Sequence, residues 1–301
     1  MKDSHFSRRV VKEGAVGTQG QTLKGHYVTT LRKTICILKR TAIVAALLTA
    51  VSLGVLPQIA LGQTDEIQVY DAEIAEPGVW NLMVHTNFIP DGRTTPDFPG
   101  AIIPNHSENG AVEWAYGVKD WFEQGIYFPV YTTYSENRGG SLNGFKIREL
   151  FVRPHAHDHT FFYGVNFEFS VNYKYWESRR ITSEVRPIVG LHLHPVDIVF
   201  NPIVDTDYRG GFGGLEFVPA TRVAYNFNDK WAAALEEYSD DGPLRHFDRA
   251  NDQFHEIWGV MDHSFKVWSV ETGMGFGLTA GSDKLTLKLM ISRDLNSKAK
   301  E

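Results

Sequence analysis

The sequence predicts an all-β protein, a single antiparallel transmembrane β-barrel of about 12 strands that follows a cleaved signal peptide. Three observations predict this fold. Apolar and polar residues alternate in repeated segments, short turns alternate with long loops, and an export signal precedes the alternating part. Because no long apolar stretch follows Gln63, only the strands of a closed barrel could carry this part of the chain across a membrane.

Composition narrows the class of protein. The 301 residues are 43% hydrophobic, carry a net charge of −6 and include one cysteine, Cys36. The hydrophobic fraction excludes a disordered chain, the single cysteine excludes a disulfide framework, and the acidic balance argues against nucleic acid as a partner. The charge is unevenly distributed, since residues 1–62 carry nine basic and two acidic residues and the rest of the chain carries the acidic excess.

The basic N-terminal part ends in an export signal. Arg32, Lys33, Lys39 and Arg40 precede an apolar run over 42–56, which Pro57 and the small residues Ala60 and Gly62 follow. This order is typical of a secretory signal peptide cleaved before Gln63, so residues 1–62, with Cys36, are predicted to be removed as an N-terminal extension plus signal peptide. A membrane anchor is the weaker interpretation, because the run is shorter than the roughly 20 residues that a spanning helix needs.

The remaining chain divides into three predicted parts. Residues 63–77 form a periplasmic N-terminal segment, residues 78–295 form the outer-membrane barrel, and residues 296–301 form a polar tail. Alternation predicts twelve strands near 78–89, 111–118, 121–135, 144–153, 161–175, 182–194, 197–205, 214–227, 230–239, 254–262, 265–278 and 284–293.

The alternation is clearest over 161–175. Phe161, Tyr163, Val165 and the following odd-numbered positions are apolar or aromatic, whereas the even-numbered positions between them are mostly small, polar or charged. Successive side chains of a strand point to opposite faces, so one face of this strand is apolar throughout. In a membrane barrel that face contacts lipid and the polar face lines the lumen.

The connections alternate in length. Short turns are predicted at 119–120, 154–160, 195–196, 228–229 and 263–264, and longer loops at 90–110, 136–143, 176–181, 206–213 and 240–253. Only the final connection, near Gly281, departs from the pattern by being short. Short turns on one side and long loops on the other are typical of an outer-membrane barrel, and an even strand number places both termini on the periplasmic side.

A soluble antiparallel sandwich or a lipocalin-like barrel is the alternative architecture, with the apolar face directed inward. The length of the strands and the aromatic residues near their ends favour the membrane barrel, because such residues form interfacial girdles. The predicted girdle residues are Trp114, Tyr116, Trp121, Tyr173, Tyr175, Trp176, Tyr225, Trp231 and Trp258.

The inward-facing positions carry charges of both signs. We predict a lumen lined by Glu113, Glu123, Lys146, Arg148, Glu168, Lys174, Glu184, Arg186, Glu216, Arg222, Glu236, Glu271 and Lys288. These side chains either select and guide a solute or pair with one another and plug a narrow barrel. The near balance of seven acids and six bases favours pairing, since a wide selective pore would carry an excess of one sign.

Three histidines at alternate positions are weak metal-ligand candidates. His155, His157 and His159 have a spacing that could bind Zn²⁺, Cu²⁺ or Ni²⁺, and the competing interpretation is a solvated polar turn. Residues 205–216 mimic a calcium-binding EF-hand loop, but Arg209 occupies a ligand position and the flanks are strands, so we predict a flexible outer loop.

The proline-rich segment over 90–110 allows two interpretations. It carries Pro90, Pro96, Pro99 and Pro104 together with Phe98, Ile102 and Ile103. Such a stiff, partly apolar loop either folds into the mouth as a gate or forms an ordered cap on the outer surface.

No catalytic motif is found. The sequence lacks G-x-S-x-G, and no histidine adjoins Ser170 or Ser183. We therefore predict no catalytic residue and no cofactor, and an outer-membrane lipase or acyltransferase is retained only as a third hypothesis.

Several segments resemble one family. The runs E-I-Q-V-Y-D-A-E-I-A-E-P-G (66–78), W-A-Y-G-V-K-D-W-F-E (114–123), F-F-Y-G-V-N-F-E-F-S (161–170), S-E-V-R-P-I-V-G (183–190) and P-A-T-R-V-A-Y-N-F (219–227) are similar to those of uncharacterised proteobacterial outer-membrane β-barrel proteins. The layout is more distantly similar to the barrels of phenol and other aromatic-degradation pathways. Many outer-membrane barrels end on a terminal aromatic residue, whereas the last predicted strand of this chain is followed by a polar tail.

The leading hypothesis from these observations is an outer-membrane barrel of a Gram-negative bacterium that acts as a passive channel or uptake protein for a small solute, which the distant resemblance implies is hydrophobic or aromatic. The alternative is a structural or surface-interaction barrel with a plugged lumen. The expected partners are membrane lipid, lipopolysaccharide, the barrel-assembly machinery and the solute.

Overall fold

The computed structural model describes residues 65–296, and the predicted signal peptide and all but the first residue of the polar tail lie outside these described residues. β-Strands are the main secondary structure of the described chain, and loops connect them. The strands are β1 (Trp80–Asp91), β2 (Glu108–Lys119), β3 (Phe122–Tyr134), β4 (Ser141–Val152), β5 (Phe161–Asn172), β6 (Ile181–His192), β7 (Val196–Asn201), β8 (Val204–Thr206), β9 (Leu215–Phe217), β10 (Ala220–Asn228), β11 (Trp231–Asp240), β12 (Gly242–Pro243), β13 (Phe254–Ser264), β14 (Ser269–Gly277) and β15 (Leu285–Asp294).

The sheet closes on itself as a barrel of twelve antiparallel strands, which confirms the predicted fold class and strand number. The barrel strands are β1 to β7, β10, β11, β13, β14 and β15, and each pairs with the next. Closure occurs where β1 pairs with β15, with Val84 opposite Ile291. A closed sheet leaves no unpaired edge, which satisfies the backbone hydrogen bonds of all twelve strands.

The three remaining strands extend the barrel at one end. β8 pairs with the first half of β6 and with β9, and β9 pairs with β12. β7 and β8 are two parts of one bent strand interrupted at Pro202, and β9 and β10 are similarly interrupted at Pro219. Proline cannot donate a ladder hydrogen bond, which accounts for the breaks.

Most connections at one end of the barrel are shorter than those at the other. The exception is 153–160, a predicted short turn that is longer than the loops 135–140 and 278–284 at the opposite end. At one end, the short-turn end, the connections are 120–121, 153–160, 193–195, 229–230 and 265–268; at the other, the long-loop end, they are 92–107, 135–140, 173–180, 207–214, 244–253 and 278–284. The prediction of an exceptional final connection is wrong, because 278–284 is as long as other loops at its end. The barrel wall starts and finishes at the short-turn end, where Leu295 N donates to Trp80 O over 2.8 Å.

Helical structure is minor. Two short 3₁₀ helices, Ala156–Asp158 and Gly211–Gly214, lie in the connections. None of the helices in residues 65–296 has the length and hydropathy required to cross a membrane.

The outer face of the barrel is apolar. Ile126, Phe167, Phe200, Leu235 and Leu289 are among the large side chains that project outward from the middle of the strands and are exposed. An apolar band of this extent around a barrel is expected to contact hydrocarbon and not water.

Aromatic side chains are concentrated where the strands end. The short-turn end exposes Trp80, Trp121, Phe161, Tyr163, Tyr225, Trp231 and Trp268, and the long-loop end exposes Tyr134, Tyr173 and Tyr208. These positions correspond to the two interfacial girdles of a membrane barrel.

Two predicted girdle residues lie elsewhere. Trp176 packs against the buried cluster of Ala111, Tyr127 and Val130, and its Nε1 atom is buried. Trp258 is completely buried inside the barrel, where its Nε1 atom donates to Glu256 over 3.0 Å. Gly275 is its register partner on β14, and an added Cβ at Gly275 would overlap the indole ring of Trp258. Because glycine has no side chain, Gly275 leaves the space that the inward-facing indole ring of Trp258 occupies.

Replacing Gly275 by Ala is expected to destabilise the barrel by about 1–3 kcal/mol, because the rigid, buried indole ring must move to admit the methyl group. The measurement is the urea midpoint of the detergent-folded barrel, followed by tryptophan fluorescence. Gly259→Ala is the matched control on the neighbouring strand, since an added Cβ there would have no atom of a non-adjacent residue within 4 Å. Equal midpoints for the two variants would contradict the assigned packing.

Candidate functional site

The barrel lumen is filled by side chains at mid-height. Of the thirteen predicted lumen residues, nine are buried on the inner wall, namely Glu113, Glu123, Lys146, Arg148, Glu168, Arg186, Arg222, Glu236 and Lys288. Glu184 and Glu271 also point inward and are partly buried. The charges are thus brought together inside the barrel, in three groups that different strands supply.

Two predicted lumen residues lie outside the lumen. Lys174 is exposed in loop 173–180, because β5 ends at Asn172 and the alternation no longer applies beyond it. Glu216 is exposed on β9, in the extension of the barrel beyond the twelve-strand wall. Both positions are corrections to the predicted lumen lining.

The first charged group lies on the wall formed by β1 to β4. The Arg148 guanidinium bonds to the carboxylates of Glu113 and Glu123, the latter over 2.7 Å. His85 on β1 approaches Glu113 at 3.3 Å. Arg148 reaches over β3 because Gly125 has no side chain there; an added Cβ would lie 2.8 Å from Arg148 Nε.

The second charged group lies on the wall formed by β10, β11 and β13 to β15, which meets the first wall where β15 pairs with β1. Lys288 Nζ lies 2.6 Å from both Glu236 and Glu271, and its side chain has no solvent exposure. Arg222 bonds to Glu236 and to Asp262 on β13. Each of these charges has at least one opposite charge within bonding distance, which a low-dielectric interior requires.

A non-strand segment of the chain lies between these two walls. We call residues 65–75 the lumen segment. Asp65, Ile67, Val69, Tyr70 and Ala72 are all buried within the barrel. The sequence predicts a periplasmic segment over this stretch, but its contacts place it inside the barrel.

Wall side chains, and not strand pairing, satisfy the backbone of the lumen segment. The Asn201 side chain accepts from Tyr70 N over 2.8 Å and donates to Tyr70 O over 2.9 Å. Lys288 Nζ donates to Ile67 O over 3.1 Å. Ala75 N donates to Glu123 over 2.6 Å. The segment is therefore fixed by bonds that can break without opening the barrel wall.

Ion pairs and apolar contacts also hold the lumen segment against the wall. Lys146 Nζ lies 2.7 Å from Asp65, and the Arg186 guanidinium lies over the Tyr70 ring at 4.4 Å while bonding Glu184. These contacts form the third charged group. Val69 and Ala72 pack in an apolar cluster with wall residues that include Leu150, Phe162, Ile188 and Val199.

A cavity opens above the lumen segment at the long-loop end. It has a volume of about 190 Å³, and residues 65–68 form its floor. Ten carboxylate side chains but only three basic ones line it. We call this cavity the acidic vestibule. Its charge differs from that of the balanced lumen below, and exposed residues such as Arg209 and Glu216 lie at its outer edge.

The proline-rich loop 92–107 covers part of the long-loop end. Asn137 accepts from Ile103 N and donates to Ala101 O, and Ile102 N donates to Tyr175 O over 2.9 Å. These bonds tie the loop to its neighbours as an ordered cap. Burial raises the pKa of Asp97 in this loop to about 6, although the neighbouring Arg93 opposes the shift.

The three histidine candidates diverge around the short helix after β4. His155 approaches Asp120 at 3.8 Å, whereas His157 approaches Glu73 at 3.9 Å and has its ring 5.3 Å from that of His192. Across residues 65–296, no group of three or more His, Cys, Asp or Glu side chains is arranged to hold a metal ion.

Several residues inside the barrel were not among the predicted lumen residues. Asp65, Glu66 and Tyr70 lie in the lumen segment, which precedes the first strand and has no strand alternation to place them. Asn201 lies on β7, where it is buried on the inward face. His85 and Asp262 could have been found, since the alternation of β1 and β13 places both on the inward face.

No protein-family model matches the chain, and no curated protein matches its sequence. Among solved structures, the fold is similar to a KdgM porin in complex with disordered oligogalacturonate, at 8% identity and a TM-score of 0.45 over 72% of this chain and 99% of that one. It is also similar to the NanC porin, at 12% identity and a TM-score of 0.45 over 71% and 100% of the two chains. A variant of the TodX monoaromatic hydrocarbon channel is similar at 8% identity and a TM-score of 0.36, over 74% and 91%.

Proposed function

We propose that the protein is an outer-membrane barrel of a Gram-negative bacterium that admits a small solute, and that the lumen segment closes the pathway until it is displaced. The observation that carries the proposal is the attachment of this segment to the wall through side chains such as Asn201 and Lys288. A segment held in this way can leave the lumen while the twelve-strand wall stays intact. The apolar belt would contact lipid and lipopolysaccharide, and insertion would require the barrel-assembly machinery.

The filled lumen favours a second candidate, a structural or surface-interaction barrel whose plug is permanent. Buried ion pairs such as Lys288 with Glu236 would then serve to hold the barrel in register. The two candidates differ in whether the lumen segment exchanges between a bound and a released position.

The variant Asn201→Leu is expected to distinguish the channel from the barrel with a permanent plug. The variant leaves Tyr70 N and Tyr70 O without their partners in the closed state, at a cost of about 1–3 kcal/mol, so openings should become roughly 5- to 150-fold more frequent than in the wild type. The measurement is single-channel current in a planar bilayer.

Asn143→Leu is the matched control. Asn143 is also buried in the barrel, but its side chain bonds to Thr132 and Ser141 on the wall. Heat-modifiable migration on a detergent gel verifies that each variant is folded. Current that is absent from both variants and from the wild type would reject the channel and favour the permanent plug.

A further inference from the structure

The acidic vestibule has a charge imbalance that its own side chains do not compensate. Asp205 and Asp240 line it, and within residues 65–296 neither carboxylate forms an ion pair with a basic side chain. Glu256, which also lines it, is buried and accepts a hydrogen bond from Trp258 Nε1. Carboxylates gathered at low exposure with too few cations are electrostatically costly, and a bound cation would relieve that cost.

A second observation points to a ligand. The Glu66 side chain is only 2% exposed, lines the floor of the vestibule, and accepts no hydrogen bond on either carboxylate oxygen. Arg186 and Lys146 form ion pairs with Glu66 at 3.8 and 3.9 Å, which compensate its charge but are too long to be hydrogen bonds. The Oδ1 atom of Asp205 is likewise buried without a hydrogen bond. Buried oxygens of this kind are normally bonded, so those at this cavity indicate a missing donor.

The shape and chemistry of the vestibule favour an organic cation over a metal ion. The described residues contain no group of carboxylates close enough to coordinate a metal. The volume of about 190 Å³ is far larger than the roughly 10–15 Å³ that a cavity needs to hold one water molecule, and far more than a bare ion fills. The rings of Tyr238 and Phe254 also line the vestibule, and an ammonium group can bind favourably over an aromatic face.

We propose that the acidic vestibule binds a small organic cation with two amino or guanidino groups, which is the solute that the barrel admits. That this cation is the transported solute rests on the proposed function. That the vestibule binds a cation is argued only from the residues that line it. Ammonium groups would donate to Glu66, Asp205 and Glu256, and the alkyl chain between them would contact the aromatic rings. The lumen segment forms the floor of the vestibule, so the bound cation would contact it directly.

The test is isothermal titration calorimetry of the detergent-folded full barrel with 1,4-diaminobutane. Succinate, a dianion of the same chain length, and Ca²⁺ serve as comparison ligands. We expect saturable binding of the diamine and none of succinate. Glu256→Gln, which retains an acceptor for Trp258 Nε1, should weaken diamine binding roughly tenfold or more.

Glu136→Gln is the matched control, because Glu136 lies in loop 135–140 at the same end of the barrel but does not line the vestibule. It should leave diamine affinity within about twofold of the wild type. The inference is overturned if the diamine does not bind, if Ca²⁺ binds in its place, or if both variants weaken binding equally. If the barrel binds the diamine but never conducts, the channel proposal is rejected and the binding site is supported. If Asn201→Leu conducts but the protein does not bind the diamine, the binding site is rejected and the channel proposal is supported.

Discussion

Deletion of residues 65–75 is expected to convert a closed barrel into a steadily conducting pore. In the structure these residues occupy the space between the charged group around Arg148 and the group around Lys288. Without them water can enter along the two charged groups, although part of the wall beside them is the apolar cluster of Leu150, Phe162 and Ile188. The twelve strands and their closure at β1 and β15 do not include the deleted residues.

The measurement is single-channel conductance in a planar bilayer, with the wild type as the closed reference. The deletion removes the backbone partners of Asn201 and Lys288, so folding must be checked by the shift between heated and unheated migration. A folded, inserted deletion variant that passes no current would show that the wall alone closes the lumen. In that case the channel proposal would fail.

Replacing Lys288 by Met is expected to destabilise the barrel by about 3–5 kcal/mol. The Lys288 side chain has no exposure, and its ammonium group lies between Glu236 and Glu271. Met has nearly the same shape without the charge, so both carboxylates lose this partner while they remain in the interior. Removing one partner of a buried ion pair costs about 3–5 kcal/mol, because the other partner remains buried with an uncompensated charge.

Lys284→Met is the matched control for this variant. Lys284 pairs with Asp91 at the long-loop end, but its side chain is 76% exposed, so its removal should change stability by less than about 1 kcal/mol. The measurement is urea unfolding of the detergent-folded barrel. Adding Glu271→Gln to Lys288→Met should restore part of the loss, and a double variant that is less stable than Lys288→Met would contradict the assigned pairing.

The outer face of the barrel could be predicted from the sequence in detail. The alternation around Phe167 and Phe169 assigns their neighbour Glu168 to the inside, and in the structure the two rings are exposed while Glu168 is buried. Alternation is a local property of each strand, since successive side chains point to opposite faces whatever the partner strand is. Strand number and the lengths of most connections followed from the same local pattern.

The contents of the lumen could not be predicted in this way. Lys288 and Glu236 lie 52 residues apart and on strands that are not neighbours, so their pairing depends on the curvature of the closed wall. Trp258 shows the same dependence, because its inward position requires the space left by Gly275 on the adjacent strand. An aromatic residue near a strand end indicates a girdle only when no such space exists inside.

The order of residues along each strand is sufficient to specify the class of fold, the twelve strands, the apolar belt and the signs of the inward charges, because each is a local property of the chain. Three features depend instead on how the barrel closes: the charges pair, residues 65–75 lie in the lumen, and an acidic vestibule lies above them. These features involve residues that are far apart in sequence and that closure of the barrel brings within a few ångströms of one another. A local sequence pattern does not indicate which of these residues come into contact.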